Sequence, residues 1–295
     1  MNFGRIITAM VTPFDVNDQI DYGKTERLIH HLINSGTEAL VVAGTTGESP
    51  TLTKEEKLSL FKFVVKTVNK RIPVIAGTGS NNTQASIELT KQAETIGVDG
   101  IMLVTPYYNK PSQEGLYQHF KTIAKSTTLP VMLYNIPGRT AVNMLPETII
   151  SLSEIENIVS VKEASGDLDA MTKIIRETPK EFTLYSGDDT LTLPTLAIGG
   201  TGIVSVSSHI FGKDMQQMVY AHLSGRPEQA AEIHQYLVPF MKALFMAPNP
   251  STVKEALALT GIDVGSVRLP LVPLNVQEKQ QLSHELSYIQ NSNVS

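Results

Sequence analysis

The sequence predicts an α/β fold, a (β/α)8 barrel of the TIM type with a small C-terminal helical appendage, and three observations carry the prediction. Eight short runs rich in Val, Ile and Leu recur along the chain, each bounded by Gly, Pro or Asn. Amphipathic helical stretches separate them, and beyond residue 225 the pattern is helical only. Strands that alternate with helices make a parallel sheet, and eight is the number that closes a barrel. The barrel is expected over 1–225 and the helical domain over 226–295.

The strands are expected at 5–11, 38–44, 72–77, 99–106, 129–135, 157–163, 182–188 and 202–208. Runs of this length and composition, without strict alternation, suit strands buried on both faces. Between the second and third, TKEEKLSLFKFVVKTVNK opens on a capping box, Thr53 with Glu56 three residues on, and then shows an apolar face. After the third, NTQASIELTKQAETIG stops on Gly97, a residue suited to a helix C-terminus.

Composition excludes several function classes. Of the 295 residues, 41% are hydrophobic and 18% charged, as in an ordinary globular chain. The net charge of −5, with no run of Lys or Arg, gives no electrostatic basis for binding nucleic acid or a membrane surface. Cysteine is absent, which removes disulfides, thiolate catalysis and Cys-based zinc sites and fits a cytoplasmic location. The N-terminal stretch MNFGRIITAMVTPF is too short in apolar residues for a secretion signal, and no segment is long enough to span a membrane.

In this fold the active site gathers at the C-terminal ends of the strands. Those ends carry Thr12, GTTGES (44–49), GTGSN (77–81), TPYYNKP (105–111), YNIPGRT (134–140), Lys162, SGDD (186–189) and SVSSH (205–209). Lys162 and Arg139 are the two cations expected to face inward, with Lys110 further out. Alternation puts Val159 and Val161 on the helix-facing side of their strand, and Ser160 with Lys162 on the barrel side. A lysine buried there without a full carboxylate partner loses its charge readily and becomes a nucleophile able to form a Schiff base. The alternatives are a structural lysine paired with Glu163, which alternation points to the opposite face, or with another neighbouring carboxylate, or one that snorkels to water.

A Schiff-base enzyme needs a proton shuttle and a substrate anchor. Tyr134, at the end of the adjacent strand, can exchange protons, or simply fill the barrel. GTTGE offers the hydroxyls of Thr45 and Thr46 between glycines that let backbone N–H groups meet an anion, or it is only a tight turn. Gly77-Thr78-Gly79 lacks the pattern of a dinucleotide loop, and GGTG (199–202) precedes a strand and so lies on the opposite face. The histidines show no metal-ligand spacing, and Asp188 with Asp189, adjacent in sequence, are expected to point apart, so neither a metal nor a cofactor is expected.

GTTGES, TPYYNKPSQEGLYQHF (105–120), YNIPGRT and KEASGD (162–167) resemble the dihydrodipicolinate synthase family, and NPSTVKEAL (249–257) and RLPLVPL (268–274) extend the likeness to the tail. The resemblance implies condensation of pyruvate with aspartate semialdehyde, the entry step to diaminopimelate and lysine. It implies that Lys162 forms the Schiff base, that Tyr134 donates and accepts protons, and that Thr45 links Tyr134 to Tyr108. Tyr108 would reach in from a neighbouring subunit of a homotetramer, a dimer of dimers. Thr46 would hold the pyruvate carboxylate, Gly187 and Val204 would complete the pocket, and Arg139 with Asp188 nearby would meet the second substrate.

Related pyruvate-dependent lyases, for N-acetylneuraminate and for sugar acids, share the lysine, the tyrosine and the threonine pair. Arg139 in Gly138-Arg139-Thr140 separates them, because it suits a small acidic aldehyde better than a polyhydroxylated chain. A non-catalytic sensing barrel is the third reading, and its usual mark, loss of the lysine or tyrosine, is not seen. Lysine-inhibited relatives bind lysine near the positions of Ser49, Asn81 and Tyr107, which match. Histidine and glutamate positions of that site read here as Lys54, Lys57 and Ala85, so weak or absent lysine inhibition is expected.

Overall fold

The computed structural model describes residues 3–292, with side chains to Leu286. Eight parallel strands close into a barrel in sequence order: β1 (Ile6–Ala9), β2 (Ala39–Val42), β3 (Val74–Gly77), β4 (Gly100–Val104), β5 (Val131–Asn135), β6 (Ile158–Glu163), β7 (Thr183–Ser186) and β8 (Gly202–Ser205), with β8 pairing back to β1. Each lies inside the run expected for it but is shorter, because residues at the ends leave the ladder to form the loops. Helices Pro227–Ala243, Ser251–Leu259 and Val276–Ser292 follow the last barrel helix, Ser208–Leu223. The remainder of the expected appendage, 293–295, lies outside the described residues.

Two apolar layers hold the barrel. Alternate strand residues such as Leu40, Leu103, Leu133 and Val161 pack outward under the helices. Ile7, Val41, Ile75, Met102, Tyr134 and Val204 fill the interior. Burial of this kind stabilises by roughly 25 cal/mol per Å² of apolar surface.

Local signals do what the sequence led us to expect. Glu56 N–H donates to Thr53 Oγ1 at 3.1 Å while Thr53 N–H donates to Glu56 Oε2 at 2.8 Å, so both halves of the capping box start the helix Lys54–Val68. Gly97 ends Thr83–Ile96 at φ 94°, a conformation that disfavours residues with a Cβ.

One expectation fails. Val159 does not share the face of Val161. The β5–β6 register shifts, with Val131 opposite Ile158 but Met132 opposite Ser160. Val159 is the extra residue of this bulge and packs on the interior layer, while Ile158 and Val161 pack outward. The alternation resumes above the bulge, which keeps Lys162 on the barrel side.

Candidate active site

Lys162 stands in register with Tyr134 on one side and Tyr185 on the other. It is 5% exposed, and its Nζ lies 4.3 Å from the centre of the Tyr134 ring. Burial pushes its pKa down to about 7, the Asp189 carboxylate pulls it up, and Arg139 pushes it down further. Glu163 faces away: its carboxylate accepts from Asn135 Nδ2 at 2.9 Å and from the Ser165 amide at 2.8 Å. The pairing of Lys162 with Glu163 is thereby ruled out, and the lysine is neutral in a large fraction of molecules near pH 7.

Gly187 explains how the lysine is accommodated. Its amide donates to Glu163 O at 2.7 Å, which draws the chain after β7 close to β6. A Cβ there would stand 2.6 Å from Ala164 Cβ and 2.9 Å from Lys162 Cε. Only glycine leaves room for the lysine stem.

Tyr134 is buried, and burial raises its pKa to about 12 against the lowering effects of a hydrogen bond from Thr45 and the charge of Arg139. Thr45, Tyr134 and Arg139 line a cavity of about 410 Å³ whose outer wall includes Ser49, Lys57 and Tyr107. Lys162 is not on that wall; its Nζ lies against the ring of Tyr134, which is. Thr46 is buried, and its Oγ1 accepts from Asn249 Nδ2 at 2.9 Å. Within the 44–49 loop the amides of Glu48 and Ser49 donate to the carbonyls of Thr45 and Gly44, at 3.0 and 3.2 Å, so the loop is a tight turn that puts Thr45 on the cavity.

The other expected residues divide. Val204 lies in the interior layer with Tyr134. Arg139 is exposed at the rim of the cavity. Asp188 is exposed and caps a short turn, accepting from Thr190 N and Oγ1 at 2.9 and 2.8 Å. Tyr108 is 89% exposed with φ 72° and does not join Thr45 within its own chain.

Asp189 is the residue that sequence reasoning passed over. It is buried and accepts from Ser205 Oγ at 2.5 Å, Val206 N at 3.1 Å, and Ser207 N and Oγ at 2.9 and 3.0 Å. These bonds tie the end of β7 to the turn after β8. Burial outweighs them and raises its pKa. Adjacency to Asp188 was a correct signal that the two acids point apart, but it hid what Asp189 holds. His209 ties the same turn to β1: Val11 N–H donates to Nε2 at 3.2 Å, which makes Nδ1 the donor to Val206 O at 2.8 Å.

Residues 2–289 match the model of the dihydrodipicolinate synthetase family. The chain belongs to that family. A 4-hydroxy-tetrahydrodipicolinate synthase of Bacillus velezensis is 64% identical over 287 residues, 97% of this chain and 99% of the relative. Among solved structures, a dihydrodipicolinate synthase of Bacillus anthracis superposes with a TM-score of 0.96 at 59% identity, covering 97% of this chain and 98% of that one. A family member from Cyanidioschyzon merolae, solved with lysine bound, gives 0.96 at 48% identity, with 98% of each chain covered. Lys162, Tyr134 and Thr45 lie at the C-terminal ends of the barrel strands.

Proposed function

We propose that this chain is a 4-hydroxy-tetrahydrodipicolinate synthase, condensing pyruvate with aspartate semialdehyde through a Schiff base on Lys162. The observation that carries the reading is a lysine buried at the end of β6 with its Nζ 4.3 Å from the centre of the Tyr134 ring, where burial lowers its pKa to about 7. A neutral lysine attacks the C2 carbonyl of pyruvate. The carbonyl oxygen leaves as water, with Tyr134 passing the protons, and an imine remains. Loss of a C3 proton gives the enamine, whose C3 bonds to the aldehyde carbon of the second substrate, and the aldehyde oxygen takes up a proton. The amine of the second substrate then attacks C2, closes the ring and expels the Lys162 amine.

Thr46 anchors the pyruvate carboxylate, backbone groups near Gly187 and Val204 close the pocket, and Arg139 meets the carboxylate of the semialdehyde at the rim with Asp188 beside it. Tyr108 acts on the site of a neighbouring subunit in a dimer of dimers, in keeping with its exposure on its own chain. The barrel, 1–225, carries the chemistry, and the helical appendage, from 226 on, braces it. Among the described residues no helix is long and apolar enough to cross a membrane, in keeping with work in the cytoplasm.

The test is turnover of pyruvate with aspartate semialdehyde compared with neutral sugar-derived aldehydes. The proposal predicts product from the first, with Arg139→Ala raising KM for the semialdehyde about 10- to 100-fold, as for loss of a charged contact. Product from the neutral aldehydes alone would assign the chain to a sugar-acid lyase instead.

A further inference from the structure

The appendage grips the GTTGES loop at two alternate residues. Asn249, buried between Pro248 and Pro250, donates from Nδ2 to Thr46 Oγ1 at 2.9 Å. Five residues on, Lys254 pairs with Glu48 at 2.7 Å, with side-chain exposures of 3% and 1%. The same Nζ donates to Ser266 O at 2.7 Å and stands 4.2 Å from the centre of the Phe14 ring, while Glu48 Oε2 accepts the Arg268 amide at 2.9 Å. A buried pair so surrounded has little freedom, so Asn249 and Thr46 keep their relative position.

The chemistry of a hydroxyl makes that position matter. Thr46 has one proton to give and lone pairs to receive with. A lone pair engaged by an amide N–H leaves the proton free for another partner. A bound carboxylate can only accept, so it requires Thr46 to be a donor. An acceptor at residue 249 would take the proton instead and turn a lone pair toward the substrate.

We propose that Asn249 is a positioning residue for pyruvate: its side-chain N–H sets the Thr46 hydroxyl as a donor to the substrate carboxylate. The proposal rests on the reading of Thr46 as the carboxylate anchor. It places a determinant of pyruvate affinity in the appendage, outside the barrel, and requires an amide at residue 249 where a carboxylate of the same shape fails.

The experiment compares KM for pyruvate, KM for the semialdehyde and kcat in Asn249→Asp, Asn249→Ala and Thr46→Val, with thermal unfolding of each. Asn249→Ala frees the hydroxyl to rotate and should raise pyruvate KM about 5- to 10-fold, the size of one ordinary hydrogen bond. Asn249→Asp reverses the hydrogen bond and adds a like charge, so pyruvate KM should rise about 100-fold or more, with semialdehyde KM little changed. Wild-type pyruvate KM in Asn249→Asp, or equal effects of Asp and Ala in folded protein, overturns the proposal. If Asn249→Asp does not fold, Asn249→Ala decides: unchanged pyruvate KM overturns it. Thr46→Val tests the underlying reading separately. Unchanged pyruvate KM there removes the anchor itself, whereas a raised KM beside a silent Asn249 series removes only the role of Asn249.

Discussion

Gly187 lies so close to Lys162 that a Cβ on it would stand 2.9 Å from the lysine Cε, inside any real contact distance. The lysine stem therefore occupies the space of a missing side chain, and its amine is aimed by that fit. Gly187→Ala should push the stem aside or prise β7 from β6. A displacement of this kind misaligns a nucleophile, and we expect kcat to fall about 10- to 100-fold in protein that still folds. Steady-state kinetics with a circular-dichroism control checks it, and near-wild-type turnover would show that the stem can yield.

The pH dependence follows from the direction of the Lys162 shift. The pKa is lowered to about 7, the neutral amine is the reactive form, and its population grows as pH rises through that value. The rate of imine formation should therefore climb on an acid limb centred near pH 7 and level off above it. Asp189 opposes the lowering, so Asp189→Asn should move the limb to lower pH. The same change leaves donors of Ser205 and Ser207 facing an amide that satisfies them poorly, at a cost of roughly 2–4 kcal/mol. Stopped-flow profiles and denaturant titration read the two effects separately.

Glu48 and Lys254 form a buried pair whose members depend on each other. Removing one partner strands the other charge, and we expect Lys254→Met alone to cost about 3–5 kcal/mol. Adding Glu48→Gln should recover much of that stability. A loss in the double variant equal to the sum of the two single losses, measured by urea unfolding, would mean the pair is not coupled.

Tyr108 offers a test of subunit cooperation. Tyr108→Phe and Lys162→Ala should each be nearly inactive alone. If Tyr108 serves a neighbour's site, a mixed dimer rebuilds one intact site of its two, so remixing equal amounts should restore about a quarter of wild-type activity. No recovery after verified subunit exchange contradicts action across the interface.

Lysine should inhibit weakly or not at all. Lys57, half-buried, lines the outer cavity with Ser49 and Tyr107, and Lys54 is engaged with Glu88 at 3.6 Å. A bound lysine would set its ammonium near that of Lys57, an unfavourable contact with little water to screen it. Strong inhibition by submillimolar lysine in a turnover assay would contradict this.

The fold was legible because each barrel element carries its own local signal: β-branched runs for strands, Thr53 and Glu56 for a helix start, Gly97 for a stop. Lys162, Tyr134 and Thr45 were legible because a charged or hydroxyl side chain ending an apolar strand is conspicuous. The bulge at Val159 was not, since register depends on β5, which pairs across the sheet rather than along the chain. Asp189 and Asn249 were missed for a related reason: their partners lie 16 to 18 and 203 residues away, and nothing beside them in sequence announces those contacts. Lys57 was read as a departure within a lysine-binding site, and the fold turns it toward the cavity that Tyr134 lines.

The most direct test of the central claim is borohydride trapping with pyruvate followed by mass mapping of the modified peptide. Reduction should fix a pyruvate-derived adduct on Lys162, and Lys162→Ala should take up none. Folded protein that traps no adduct, or traps it on another lysine, would contradict the Schiff-base account.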